Sequence, residues 1–246
     1  MKSLPLVVPA AGRGTRALPY TMEHPKALLE VDGKTLLGQV LDLGESIGVE
    51  RAFIIVGFQA DEIRKRFGTR YRSMSLTYVE QTEQLGLVHA ISQLEKHLSE
   101  DFMMMLCDEI YFDTRHHEVM PHFRSINPDV LCCVMNGTVE EIQKNYSVEF
   151  EGQRITKLIE KPTTEQITNP FMGTGTVLFH PSVFEYIERT PVNPKRNQKE
   201  LADLLNVMIQ AGRNISLFDI GGSYVNVNYA DDYERLTHKV EEHAAR

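Results

Sequence analysis

Short apolar, β-branched runs alternate with amphipathic stretches along the first half of this chain, and that alternation limits the fold more than any other feature. Leu4–Val8 reads as a strand, Thr35–Ile47 as a helix, Ala52–Val56 as a strand and Ala60–Phe67 as a helix. Ser75–Val79, Phe102–Cys107 and Val130–Met135 read as further strands, with helices over Gly86–Leu98 and His116–Ser125 between them. Strands that are apolar along their whole length and separated by helices indicate a parallel sheet covered on both faces. After residue 145 the pattern changes. "YSVEFEGQRITKLIEK" reads as a hairpin turning at Glu151–Gln153, and Thr174–His180 as another strand. Helices are expected over Pro181–Arg189, Gln198–Ala211 and Asp231–His243, with a strand near Ile215–Ile220 and an edge segment around Tyr224–Asn228. The second half thus adds antiparallel strands. The expected class is α/β, with a mixed, mostly parallel central sheet and helices on both faces. Ligands of such sheets bind at the carboxyl ends of the strands.

A chain of 246 residues with 42% hydrophobic content can bury a sizeable core, and no linker or internal repeat divides it. One domain is expected. The formal net charge of −8 disfavours bulk attraction to nucleic acid or to an anionic membrane. A polyanion would need a local basic pocket. The longest apolar runs, "FMMMLC" and "VLCCVM", are far too short to span a bilayer. Cys107, Cys132 and Cys133 lack metal-type spacing and read as buried reduced thiols of a cytoplasmic protein. No histidine pair sits at i, i+4 with a glutamate, so all nine histidines read as surface or core-edge residues.

The chemistry concentrates in "PAAGRGTRALPYTMEHPK", residues 9–26. Gly12-Arg13-Gly14-Thr15-Arg16-Ala17 fits a dinucleotide fingerprint, but Pro19 and Pro25 oppose the helix that fingerprint requires. "GKT" at residues 33–35 lacks the glycine a P-loop needs, since Leu28 holds that position. A third reading uses every feature. Exposed N–H groups around Ala11, Gly12, Gly14 and Thr15 wrap a triphosphate, and Arg16 and Lys26 supply fixed charge.

Ala-Gly-x-Gly-Thr-Arg, then Leu-Pro, then Pro-Lys-x-Leu resembles the signature of the sugar-phosphate nucleotidyltransferases, of the glucose-1-phosphate thymidylyl- and uridylyltransferase kind. The resemblance extends along most of the chain. "EQTEQLGLVHA" looks like the family's base-reading segment, which maps onto Gln81, Gly86 and Leu87. "MMMLCDEIYFD" resembles the strand ending in Leu-Gly-Asp, with Cys107 in place of glycine and Asp108 as the Mg²⁺ ligand. Glu109 and Asp113 beside it read as solvated loop residues. "ITKLIEKP" matches the Glu-Lys-Pro motif, which implies that Glu160 holds sugar hydroxyls and Lys161 the sugar phosphate. "GTGTVLF" resembles the family's Thr-Gly strand, which implies Gly175 under the sugar, and Glu200 looks like a helix-start cap and support residue.

The resemblance implies a Rossmann-like nucleotidyltransferase fold in one domain over 1–246. Its nucleotide-binding half would run to about residue 135, and its sugar-phosphate half over about 136–230. It implies the reaction of an NTP and a sugar 1-phosphate to an NDP-sugar and pyrophosphate. The attacking phosphate is already an anion, so no general base is needed. Arg16 would hold the leaving phosphates, Lys26 the α-phosphate and Lys161 the nucleophile, with Mg²⁺ on Asp108. A cytidylyltransferase acting on phosphocholine or a phosphonate is the alternative within the fold, and an inactive nucleotide-sensing module the alternative from another class. The chain ends before the left-handed β-helix of bifunctional members, so no acyltransferase activity is expected. Partners are the two small substrates, with a homo-oligomer possible.

Many relatives carry a second metal-binding aspartate in the segment that here reads "YVNVNYADDYERL". Strand alternation puts Tyr224, Asn226 and Asn228 on one face and Val225 and Val227 on the other. A gapless match to Asp-x-Gly-Thr selects Asn226, whereas likeness of the following residues to Asn-Thr-Pro-Glu-Asp-Leu selects Asn228.

Overall fold

The computed structural model describes residues 3–14, 24–194 and 196–244. The chain forms two compact units, each assembled from discontinuous segments. The first comprises Met1–Gln84, Met105–Thr114 and Gly222–Arg246, and the second Leu85–Met104 and Arg115–Gly221. The expected change of function near residue 135 therefore falls inside the second unit. A linear reading of the sequence cannot anticipate a chain that crosses between units and returns.

In the first unit, Leu6–Pro9 pairs in parallel with Arg51–Val56, which pairs in parallel with Met74–Glu80. Val7, Val8, Ile54, Ile55 and Val56 are completely buried, as the unbroken apolar runs require of strands covered on both faces. Met74–Glu80 instead alternates over its first four residues, burying Met74 and Leu76 while Ser75 and Thr77 face solvent. The helix Leu36–Ser46 starts at Thr35, whose hydroxyl accepts the Gly38 N–H at 3.0 Å. That capping role explains the "GKT" decoy. Glu109–Phe112 pairs antiparallel with Ser223–Asn226, so Asn226 stands opposite Glu109 and Tyr224 opposite Tyr111.

In the second unit, Val130–Asn136 lies between two strands. It pairs antiparallel with Phe171–Phe179 and parallel with Ile215–Asp219. The expected hairpin is present as Tyr146–Glu151 and Arg154–Glu160. Leu201–Gln210 docks on the second of these strands through Asn206, whose side chain accepts from Leu158 N at 2.9 Å and donates to Leu158 O at 2.8 Å. Gly173 makes Phe171–Phe179 possible at close quarters, because a Cβ there would lie 1.8 Å from the Tyr146 ring.

Several expected elements are shorter. The helix begun at Leu87 ends at Ser92, and the strand begun at Phe102 ends at Met104. Pro181–Arg189 is a 3-10 turn, Pro181–Val183, followed by the short helix Phe184–Ile187. Among the described residues no helix is long and apolar enough to cross a membrane.

Candidate active site

The loop after the first strand leaves the sheet in a fixed direction. Ala10 N donates to Ile55 O at 2.8 Å, and the Ala11 carbonyl accepts from Phe58 N at 3.2 Å and from Gln84 Nε2 at 3.0 Å. Gly57 lets these backbones approach, since a Cβ there would sit 3.0–3.1 Å from Ala11 and from the Gln81 carbonyl. The expected loop residue Ala11 and the expected base reader Gln81 thus flank one glycine, and both are buried. Gln84 also belongs to this arrangement, although no motif marks it. Gly12 opens onto free space, and Gly14 takes φ +73°, a left-handed conformation natural to glycine. Thr15 and Arg16 lie outside the described residues.

Pro25 is extended, with φ −63° and ψ 145°, and delivers Lys26 into the 3-10 turn Lys26–Leu28. The Lys26 ammonium lies 2.5 Å from Asp108 Oδ2, with only 11% of the lysine side chain and 21% of the aspartate side chain exposed. It also donates to Asn228 Oδ1 at 3.5 Å. Asn228 Nδ2 donates to Asn226 Oδ1 at 2.6 Å, and Asn226 Nδ2 donates to Glu109 Oε1 at 3.3 Å. The other Glu109 oxygen accepts from the Tyr111 hydroxyl at 2.5 Å. Both asparagines therefore belong to one chain of hydrogen bonds ending on the lysine-aspartate pair. Val225 and Val227 are buried, as the alternation requires, and Tyr224 is buried too, its ring stacked on Tyr111 at 6.0 Å.

Glu109 corrects the sequence reading. It is 1% exposed and lies on a strand, because "EIYF" pairs with "SYVN" and turns its first side chain inward. Asp113 is exposed, as expected. Asp108 and the amide oxygen of Asn228 form a hard-oxygen donor set with a single carboxylate, which suits a small divalent ion that keeps several waters. Among the described residues no three His, Cys, Asp or Glu side chains converge into a richer metal cluster. Cys107, at the family's glycine position, is buried, and desolvation pushes its thiol up to about 12, so it is no nucleophile at neutral pH.

In the second unit, Glu160 ends its strand and Lys161 follows with φ +48°, its N–H donating to Asn145 O at 2.7 Å. Glu160 and Glu200 share the Arg196 guanidinium, at 3.3 and 3.0 Å. Burial, then the neighbouring Glu200 charge, raises Glu160 to about 7 against the opposing pull of Arg196 and Lys161. Arg196 was not expected. Glu200 stands at the helix start, yet its carboxylate goes to Arg196 and makes no cap bond. Gly175 is buried where the register of its strand shifts, between Gly173 and Val177. Gly86 has φ +97°, and a Cβ there would lie 3.0 Å from the Gln198 side chain, so the position admits little but glycine. His116 is a second correction. It is 1% exposed, pairs with Thr176 Oγ1 at 3.1 Å, and is lowered to about 4 by burial.

The model of the nucleotidyl transferase family matches residues 6–242. UTP–glucose-1-phosphate uridylyltransferase AglF of Haloferax volcanii is 32% identical over 238 residues, which cover 96% of both chains. Glucose-1-phosphate thymidylyltransferase of Streptomyces griseus is 29% identical over 94% of this chain and 64% of its own length. The match to the bifunctional protein GlmU of Methanococcus maripaludis, 28% identical, covers 84% of this chain and 47% of that protein. Among solved structures, a UDP-glucose pyrophosphorylase complexed with UDP-glucose superposes with a TM-score of 0.88 at 22% identity, covering 98% of this chain and 99% of the other.

Proposed function

The chain belongs to the nucleotidyl transferase family and converts an NTP and a sugar 1-phosphate to an NDP-sugar and pyrophosphate, and from that premise we propose that its substrates are UTP and glucose 1-phosphate. The observation that carries this reading is the mostly buried Lys26–Asp108 pair in the same compact unit as the glycine loop, with the 32% identical uridylyltransferase in support of the base. Enzymes of the family generally use a divalent metal, which we take to be Mg²⁺.

In this reading the Ala11, Gly12 and Gly14 loop holds the triphosphate, and Gln81 reads the pyrimidine edge through its amide donor and acceptor. Lys26 neutralises charge that builds on the α-phosphoryl group. Arg16 grips the leaving pyrophosphate with its guanidinium fork. Asp108, with Asn228 or Asn226, would hold Mg²⁺, which supplies charge neutralisation at the phosphates when bound. In the second unit Lys161 orients the sugar phosphate and Glu160 accepts hydroxyl hydrogen bonds from the sugar over Gly175. The phosphate oxygen forms its bond to the α-phosphorus as the bond to pyrophosphate breaks. Catalysis is then positioning and electrostatics. We place the reaction in the cytoplasm.

Pyrophosphate release across UTP, dTTP and CTP, each offered glucose 1-phosphate, galactose 1-phosphate or phosphocholine, tests the assignment. UTP with glucose 1-phosphate is expected to turn over fastest. Preference for CTP with phosphocholine would overturn the substrate reading.

A further inference from the structure

A carboxylate accepts hydrogen bonds and donates none, whereas an amide does both. That asymmetry gives direction to the chain running from Glu109 to Lys26. Glu109 Oε1 takes its bond from Asn226 Nδ2. Asn226 must then turn Oδ1 outward, where it accepts from Asn228 Nδ2 at 2.6 Å. Asn228 in turn presents Oδ1, an acceptor, to the Lys26 ammonium. Were either amide reversed, an NH₂ group would face the ammonium. The second Glu109 oxygen is held by Tyr111, whose ring stacks on Tyr224 of the paired strand. The carboxylate is 1% exposed, so water does not compete for it.

We propose that Glu109 is a positioning residue for nucleotidyl transfer: its buried carboxylate sets the orientation of Asn226 and, through it, points the Asn228 oxygen at Lys26 and the Asp108 side of the site. Glu109 itself touches no substrate in this account. The inference rests on the reading of Lys26 and Asp108 as catalytic, and it concerns an element for which the sequence motifs assign no role. It also gives the two asparagines distinct tasks, Asn226 as relay and Asn228 as the group presented.

Glu109→Gln keeps the shape but lets the amides point either way. It replaces a charge-assisted bond by a neutral one, a change on the order of fivefold in an equilibrium. The expected result is a kcat about fivefold lower with the KM for sugar phosphate unchanged. In an Asn228→Asp background, either side-chain oxygen can face Lys26 whatever Asn226 does, so there Glu109→Gln is expected to cost less than about twofold. Equal cost in both backgrounds, or no cost in either, would overturn the proposal. If Glu109→Gln alone does not fold, Tyr111→Phe carries the test, because it removes the hydroxyl that holds the second Glu109 oxygen. It is expected to lower kcat about twofold with the KM for sugar phosphate unchanged, and to cost nothing further in the Asn228→Asp background; an equal loss in both backgrounds, or none in either, would overturn the proposal. Substrate-free side-chain amide NMR separates this from a failure of the enzymatic reading. One set of Asn226 and Asn228 NH₂ signals is expected in the parent and two sets or broadening in Glu109→Gln, and two sets already in the parent would contradict the fixed direction.

Discussion

The Lys26 ammonium and the Asp108 carboxylate meet at 2.5 Å although 82 residues separate them in the chain. Each is fixed from its own backbone. Lys26 follows the extended Pro25, and the Asp108 carbonyl accepts from Val227 N at 2.8 Å. Two mostly buried charges of opposite sign stabilise one another only while both are present, and removal of either leaves an uncompensated charge. A triphosphate would bring new anionic partners to Lys26 and release Asp108 oxygen for a cation.

Lys26→Ala and Lys161→Ala are expected to differ. Loss of Lys26 removes charge neutralisation on the nucleotide side and should lower kcat by ~10²–10³. Loss of Lys161 should also raise the KM for the sugar phosphate, because in the proposed reading it holds the second substrate. Steady-state kinetics with each substrate varied in turn checks this. Small, equal effects would mark both lysines as solvated charges.

Glycines 12 and 173 separate function from folding. Gly12 faces open space, so Gly12→Ala should leave thermal stability within about 0.5 kcal/mol of the parent while raising the nucleotide KM. Gly173→Ala drives a methyl group into the Tyr146 ring and should cost about 3 kcal/mol or more. Chemical denaturation of both variants checks the contrast.

Much of this was legible in the sequence, and the exceptions share a cause. Apolar runs such as "RAFIIV" announce buried strands because every residue after Arg51 is apolar. The run "EIYF" hides one, because its first position is a glutamate whose partners lie 117 and 2 residues away. His116 and Arg196 were missed for the same reason. A lone polar residue shows its role only when Thr176, or the Glu160 and Glu200 carboxylates, are brought to it by folding. The proposed phosphate loop stands out in the sequence because its glycines, prolines and lysine are close together.

Glu160 makes stability depend on pH. Its folded-state value is raised from 4.5 to about 7 by burial and by Glu200. Between those values the folded chain keeps a proton that the unfolded chain has released, so stability falls as pH rises through this window. Glu160→Gln is expected to remove that decline, gaining on the parent at pH 8 but not at pH 4. Melting temperatures across this range measure it, and a gain independent of pH would contradict the assignment.

His116 acts with the opposite sense. Burial lowers it from 6.5 to about 4, so the unfolded chain binds the extra proton between these values. Stability is lost as pH falls through that window. His116→Gln should flatten this acid limb, whereas an unchanged slope between pH 6.5 and 4 would mean other groups dominate it.

Transfer of a nucleotidyl group to a sugar 1-phosphate changes the environment of each phosphorus involved, and ³¹P NMR follows them all. With UTP, glucose 1-phosphate and Mg²⁺, the UTP and glucose 1-phosphate resonances should decay together while UDP-glucose and pyrophosphate grow in a one-to-one ratio. Asp108→Ala should abolish that growth. UTP resonances that shift on binding, with no product from any nucleotide or sugar phosphate offered, would contradict the account and identify a nucleotide-sensing protein instead.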